Sequence, residues 1–122
     1  MRHQLASVHE LAQIGLLKEL PGETLARLAE RMERRQLVPG EAILRQGDEG
    51  DRFYVVLSGI LNVRQESRGE RGVLRPGDYF GEVALVMGVP RTATVSAMTP
   101  ATIASCDRVT FVELVRPLFT ES

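Results

Sequence analysis

From Val38 to Cys106 the chain is cut into short apolar runs by glycine-bearing turns, and no other feature limits its fold so tightly. The turns fall at Pro39-Gly40, Gly47-Asp48, Gly50-Asp51, Ser58-Gly59, Gly69, Gly72 and Pro76-Gly77-Asp78. The runs are Gln36–Val38, Ala42–Leu44, Phe53–Leu57, Ile60–Val63, Val73–Leu74, Thr94–Met98 and Thr102–Cys106. Strands at roughly ten-residue spacing with turn signals between them predict a compact β-barrel or sandwich. Gly59, between two of the runs, is expected at a tight hairpin.

Both flanks carry helical periodicity. Leu5, Val8, Leu11, Ala12 and Gly15 recur at near-helical spacing, with Ser7 and Glu10 as a capping box. After a break at Leu20-Pro21-Gly22, Leu25, Leu28, Ala29 and Met32 form an i, i+3, i+4, i+7 stripe, which predicts a helix from about Glu23 to Arg34. Arg27, Glu30, Arg31, Glu33 and Arg34 are its expected solvated face. Val109, Val112, Leu114 and Val115 predict a closing helix over 108–117, stopped by Pro117. The expected division is N-terminal helices over 1–34, strands over 35–107 and a terminal helix, all one domain. Helices gathered at the ends of an antiparallel β unit make the class α+β.

Several kinds of chemistry are poorly supplied. Fifteen Lys and Arg against sixteen Asp and Glu give a net charge of -1, without the basic excess of a nucleic-acid binder. His3 and His9 both precede the strands, so a jelly-roll metal centre lacks ligands and no metal is expected. Cys106 is the only cysteine and has no strand-borne histidine to activate it. Asp48 and Asp51 lie in glycine turns, where they bond their own backbone. Neither a G-x-S-x-G elbow nor a phosphate-binding P-loop occurs, so no catalytic residue is assigned. With no apolar leader and no run of about 18 apolar residues, the expectation is a cytoplasmic chain without membrane insertion, membrane-associated only through a larger parent.

The segment from Asp78 to Val95 is where chemistry concentrates. Gly81 to Met87 suits about two helical turns, with Gly88 and Pro90 as stop. The free amides at such a helix mouth attract anions, and Gly81 lets a ligand approach closely. Arg91 stands among Val89, Thr92, Ala93 and Val95, company that solvates it poorly unless an anion joins it. Its planar fork matches phosphate. Glu82, in the first turn, can accept a hydrogen bond from a sugar hydroxyl. A simpler alternative stands beside this one, in which Arg91 and Glu82 pair with each other and Thr92 is only a strand residue.

The stretch FGEVALVMGVPRTATV from Phe80 to Val95 resembles the phosphate-binding cassette of the cyclic nucleotide-binding domain family. GDEGDRFYVVLSG and LRPGDYFGE resemble the strand–turn segments leading to it. The resemblance implies an antiparallel, jelly-roll-like β-roll of about eight short strands with N-terminal helices, a cassette helix and a C-terminal helix. It implies a non-catalytic regulatory domain for cAMP or cGMP, with an effector domain or partner protein reading it out and no nucleic acid bound. Glu82 and the Gly81 amide would take the ribose 2′-hydroxyl. Arg91 would take the cyclic phosphate with amides near Ala84, Thr92 and Ala93. Phe80, Val63, Val73 and Leu74 would line the sugar and base pocket, with plain core as the equal alternative for these four, and Val83 counts among the ligand-binding residues. Gly47, Gly50, Gly59 and Gly77 would be turn glycines that touch no ligand. A threonine beside the arginine is associated in this family with cGMP tolerance, and cAMP is the expected preference. The lid helix that family members place after the terminal helix has no counterpart in Leu118–Ser122. No helix-turn-helix follows the roll. A scaffold domain with a vestigial pocket is the competing expectation.

Overall fold

A computed structural model of the chain describes residues 4–67 and 69–119, the side chains of Glu70 and Arg71 excepted. Its strands are β1 (Glu33–Leu37), β2 (Ala42–Leu44), β3 (Arg52–Ser58), β4 (Leu61–Gln65), β5 (Gly69–Leu74), β6 (Tyr79–Phe80), β7 (Thr94–Ala97) and β8 (Ala101–Asp107). They form two four-stranded antiparallel sheets, ordered β1-β8-β3-β6 and β2-β7-β4-β5. The α+β class expected from the glycine-cut runs and helical flanks, and the antiparallel roll that the resemblance implies, are the fold the chain adopts.

The roll's first sheet is covered on both sides, and β3 shows why it reads as an unbroken apolar run. Phe53 and Val55 join Leu11, Ile14, Leu28, Met32, Phe111 and Val115 in the core beneath the helices. Tyr54 and Val56, pointing the other way, join Leu61, Phe80, Val95 and Ile103 between the sheets. The two cores share this strand and β8, whose Ala104 and Cys106 join the first while Ala101 and Ile103 join the second.

The helical flanks depart from the expected lengths. Helix α1 spans only Val8–Leu11, opened by the Ser7/Glu10 capping box the sequence announces. Leu5 instead bridges Glu33, and a 3-10 turn at Leu17–Glu19 follows. Helix α2 is Gly22–Ala29, so the predicted helix to Arg34 ends early. Glu33 and Arg34 lie in β1, held by the β8 ladder and by the Arg34 amide donating to the Gln4 carbonyl (2.8 Å). Pairing with β8 outweighs continued helical propensity there. The stripe nonetheless buries as expected, with Leu25, Leu28, Ala29 and Met32 all in the core. After β8, α4 (Arg108–Thr110) is capped by the Asp107 side chain on the Thr110 amide (2.9 Å). It runs into a π-helical turn at Phe111–Val115 and a 3-10 turn at Arg116–Leu118, so Pro117 sits inside the last turn rather than ending the helix.

Gly59 is not at a hairpin. Strand β3 belongs to the first sheet and β4 to the second, so the chain crosses between sheets at Gly59 with φ +86°. Strands β7 and β8 cross in the same place, and the two crossovers are bonded together by Ile60 N to Thr99 Oγ1 (3.0 Å) and Met98 N to Ile60 O (2.8 Å). A side chain at Gly59 would strike the Pro100 carbonyl and lie 2.5 Å from the Ala101 Cα.

Cys106 is fully buried, and burial pushes its thiol up to about 12. His9 lies in α1, and His3 falls outside the described residues. Among the described residues no group of His, Cys, Asp and Glu could hold a metal ion. No described helix is long and apolar enough to cross a membrane.

Candidate functional site

Between β6 and β7 the chain inserts helix α3 (Glu82–Met87), and a cleft of about 200 Å³ opens beside it. Gly81 caps the helix with φ +92°, a left-handed conformation that strains any other residue. A Cβ there would also lie 3.0 Å from both the Arg52 carbonyl oxygen and the Tyr54 ring, and 3.2 Å from the Arg91 guanidinium. Gly88 ends the helix, again left-handed.

One end of the cleft is apolar. Leu44, Val95 and Val63 lie in register across β2, β7 and β4, with Leu74 on the same inward face of β5. The other end is polar, built from Gly81, Glu82, Ala84, Arg91, Thr92 and Ala93. The amides of Thr92 and Ala93 donate to no described acceptor, and those of the first turn of α3 have no partner inside the helix. Unmet donors and one arginine at one end, hydrocarbon at the other, suit a small amphipathic anion.

Arg91 is the unusual member. It is 6% exposed, yet among the described residues it forms no ion pair. Its Nη1 donates to the Gly81 carbonyl (2.8 Å) and its Nη2 to the Arg52 carbonyl (3.0 Å), both neutral acceptors. Burial pushes the guanidinium below its ordinary pKa, against the fields of Tyr54, Asp51 and Glu82. It stays charged all the same. Its backbone is pinned to the Gly47–Asp48 turn by two hydrogen bonds, Arg91 N to Asp48 O (2.8 Å) and Gly47 N to Arg91 O (2.9 Å). Gln65 Nε2 holds the Thr92 carbonyl (3.0 Å).

Glu82 is half-buried and does not pair with Arg91, which removes the simpler alternative for these two residues. Burial raises its carboxyl above the usual range, opposed by its own backbone amide and by Arg91. A carboxylate and a guanidinium thus sit desolvated at one end of a cleft, each with bonding capacity left over.

Of the residues singled out in the sequence, Val63, Leu74, Phe80, Gly81, Glu82, Val83, Ala84, Arg91, Thr92 and Ala93 all line this cleft. Val73 does not. It alternates with Leu74 on β5 and faces outward, 37% exposed. Leu44, Tyr79 and Val95 line the cleft without having been expected there. For Leu44 and Val95, strand alternation was a usable signal. The neighbours that hold Arg91, namely Gly50, Arg52 and Tyr54, had none, because they come from a loop and strand some forty residues upstream.

An antiparallel roll that carries a short helix and a buried arginine over a half-apolar cleft is a ligand-binding β-roll. The chain belongs to the cyclic nucleotide-binding domain family, whose model matches residues 34–117. It is 37% identical over 121 residues to the cAMP-dependent protein kinase regulatory subunit of Yarrowia lipolytica, covering 95% of this chain and 32% of that protein. The chain thus spans about a third of that relative's length. Among solved structures it is similar to the regulatory domain of Toxoplasma gondii PKA with cAMP, with TM-score 0.84, 28% identity, and 91% of this chain and 44% of that one covered. It is equally similar to the regulatory subunit of a cAMP-independent protein kinase A from Trypanosoma brucei, solved as a triple mutant bound to cAMP in its A site. There the TM-score is 0.84 at 27% identity, covering 92% of this chain and 43% of that one. These relatives are regulatory rather than catalytic subunits, and the chain stands with them as a non-catalytic, cyclic nucleotide-binding regulatory domain.

Proposed function

We propose that the cleft holds a single cyclic nucleotide, cAMP in preference to cGMP, and that occupancy passes through the terminal helices to a fused or partner effector. The observation that carries this reading is the buried charge of Arg91, which forms no ion pair among the described residues. Leaving a buried charge unpaired costs several kcal/mol, and a cyclic phosphodiester supplies one negative charge to offset it without a metal.

In this assignment Arg91 takes the exocyclic phosphate oxygens with the amides of Ala84, Thr92 and Ala93. Glu82 and the Gly81 amide take the ribose 2′-hydroxyl. Phe80, Val83, Val63 and Leu74 receive sugar and base, now with Leu44 and Val95 and without Val73. Thr92, exposed beside Arg91, leaves room for cGMP as the weaker ligand. The regulatory-subunit relatives favour cAMP and make a kinase catalytic subunit a fitting effector. A route for readout is supported by one contact: Arg108, the first residue of α4, donates to the Gly50 carbonyl (2.9 Å), and Gly50 packs on Arg91.

A vestigial pocket acting only through protein contacts is the second reading, and the cAMP-independent trypanosome relative favours it, since that protein shares the fold. Isothermal titration with cAMP and cGMP separates the two readings. Saturable heat with either, weakened more than about ten-fold by Arg91→Ala, is the expected result. No heat at millimolar nucleotide would sink the first reading.

A further inference from the structure

Arg91 also meets an aromatic ring that does not line the cleft. Tyr54 lies behind the cleft wall, 8% exposed and absent from the cleft's lining. Its cross-strand partner on β6 is Phe80, which does line the cleft, and the two rings stack with centroids 4.9 Å apart and planes 7° apart. The Arg91 guanidinium carbon is 5.8 Å from the Tyr54 centroid, within the range where an aromatic ring attracts a cation. Such attraction strengthens as water is removed, and here both partners are buried. The Tyr54 ring also closes the third side of the space at Gly81, whose carbonyl holds Arg91 Nη1.

From this we infer that Tyr54 is a positioning residue for the anion site, its ring holding the Arg91 guanidinium in place against the Gly81 and Arg52 carbonyls. The inference rests on the reading of Arg91 as the phosphate ligand and deepens it. Among the described residues no carboxylate pairs with Arg91, and two neutral carbonyls and the ring are what orient it. The two carbonyls belong to backbone and cannot be varied by substitution, whereas the ring can. Burial raises the Tyr54 hydroxyl's pKa, with Arg91 pulling it back, so the residue stays neutral.

The test is a double-mutant cycle on cAMP affinity with Tyr54→Leu, Tyr54→Phe and Arg91→Ala, titrated to millimolar nucleotide by chemical-shift change. Tyr54→Phe keeps the ring and is expected to bind within about two-fold of the parent. Tyr54→Leu is expected to bind about ten-fold more weakly, and to cost less than about two-fold once Arg91 is already alanine. Tyr54→Met takes the place of Tyr54→Leu if thermal unfolding shows that the leucine variant does not fold. An equal loss from Tyr54→Leu in both backgrounds, or no loss in either, overturns the assignment of Tyr54 while leaving the cleft's reading intact. Undiminished binding by Arg91→Ala alone overturns the reading of the cleft, and the role of Tyr54 with it.

Discussion

Arg91 owes its pose to two carbonyl oxygens, one ring and one missing methyl group. The missing group belongs to Gly50. A Cβ built there would stand 2.7 Å from the Arg91 Cζ, 2.8 Å from its Nε and 2.6 Å from the Ala84 Cβ. The Gly50 backbone has no left-handed requirement, so its role is clearance rather than conformational freedom. Gly50→Ala is expected to push the guanidinium out of line and weaken cyclic nucleotide binding about ten-fold or more. Titration of the folded variant checks this; unchanged affinity would mean that the pose of Arg91 does not set binding. At this scale the polar residues of the cleft were legible in the sequence. Gly81, Glu82 and Arg91 stand within one short segment, so their association needed no long-range contact. The role of Gly50 was hidden, because a glycine in GDEGD reads as a turn former whether or not another side chain lies across it.

Among the elements, strands were more legible than helices. β2 appears at the predicted residues and β3 one residue longer at each end, because short unbroken apolar runs bounded by glycine turns have few other uses. Helix α2 was overextended because Glu33 and Arg34 carry good helical propensity, and a strand's claim on them exists only once β8 is beside them. The Gly59 turn shows the same limit. Two strands joined by Ser58-Gly59 look like a hairpin from sequence, but pairing partners are chosen by the second crossover at Pro100, which lies against it. Gly59→Ala combines a φ of +86° with a backbone collision. It is expected to lower stability by about 2 kcal/mol or more, read from the midpoint of denaturant unfolding. A shift near zero would mean that the crossover tolerates a side chain.

The molecule as a whole ties the cleft to both cores. Phe80 and Val95 belong to the core between the sheets, while Leu85 of α3 belongs to the core under the helices. Ligand, roll and helices therefore share a stability, and a nucleotide at about 100 times its dissociation constant adds ~2.7 kcal/mol. Burial raises the Glu82 pKa above its unfolded value. Its neutral form is therefore favoured on folding, and that stability, full below the unfolded pKa near 4.5, is lost as pH rises through the folded value. Asp107, whose pKa is lowered by the Thr110 amide it caps, acts in the opposite sense as pH falls. Glu82→Gln isolates the first effect. The stability of the variant minus that of the parent, measured without nucleotide, is expected to grow as pH rises through the carboxylate range. A flat difference would mean that Glu82 ionises freely in the folded state.

What the amino-acid sequence settled alone was local: strands cut by glycine, a capped first turn at Ser7, and a Gly-Glu helix mouth a few residues from Arg91. Each depends on neighbours within a turn or a strand, where the chain's own stereochemistry decides. Tertiary structure alone decided which strands pair, that Val73 faces away while Leu44 and Val95 face in, and that Arg91 sits buried against Gly50, Arg52 and Tyr54. Those outcomes follow from contacts between residues tens of positions apart, whose geometry exists only after both sheets and the helical layer have closed.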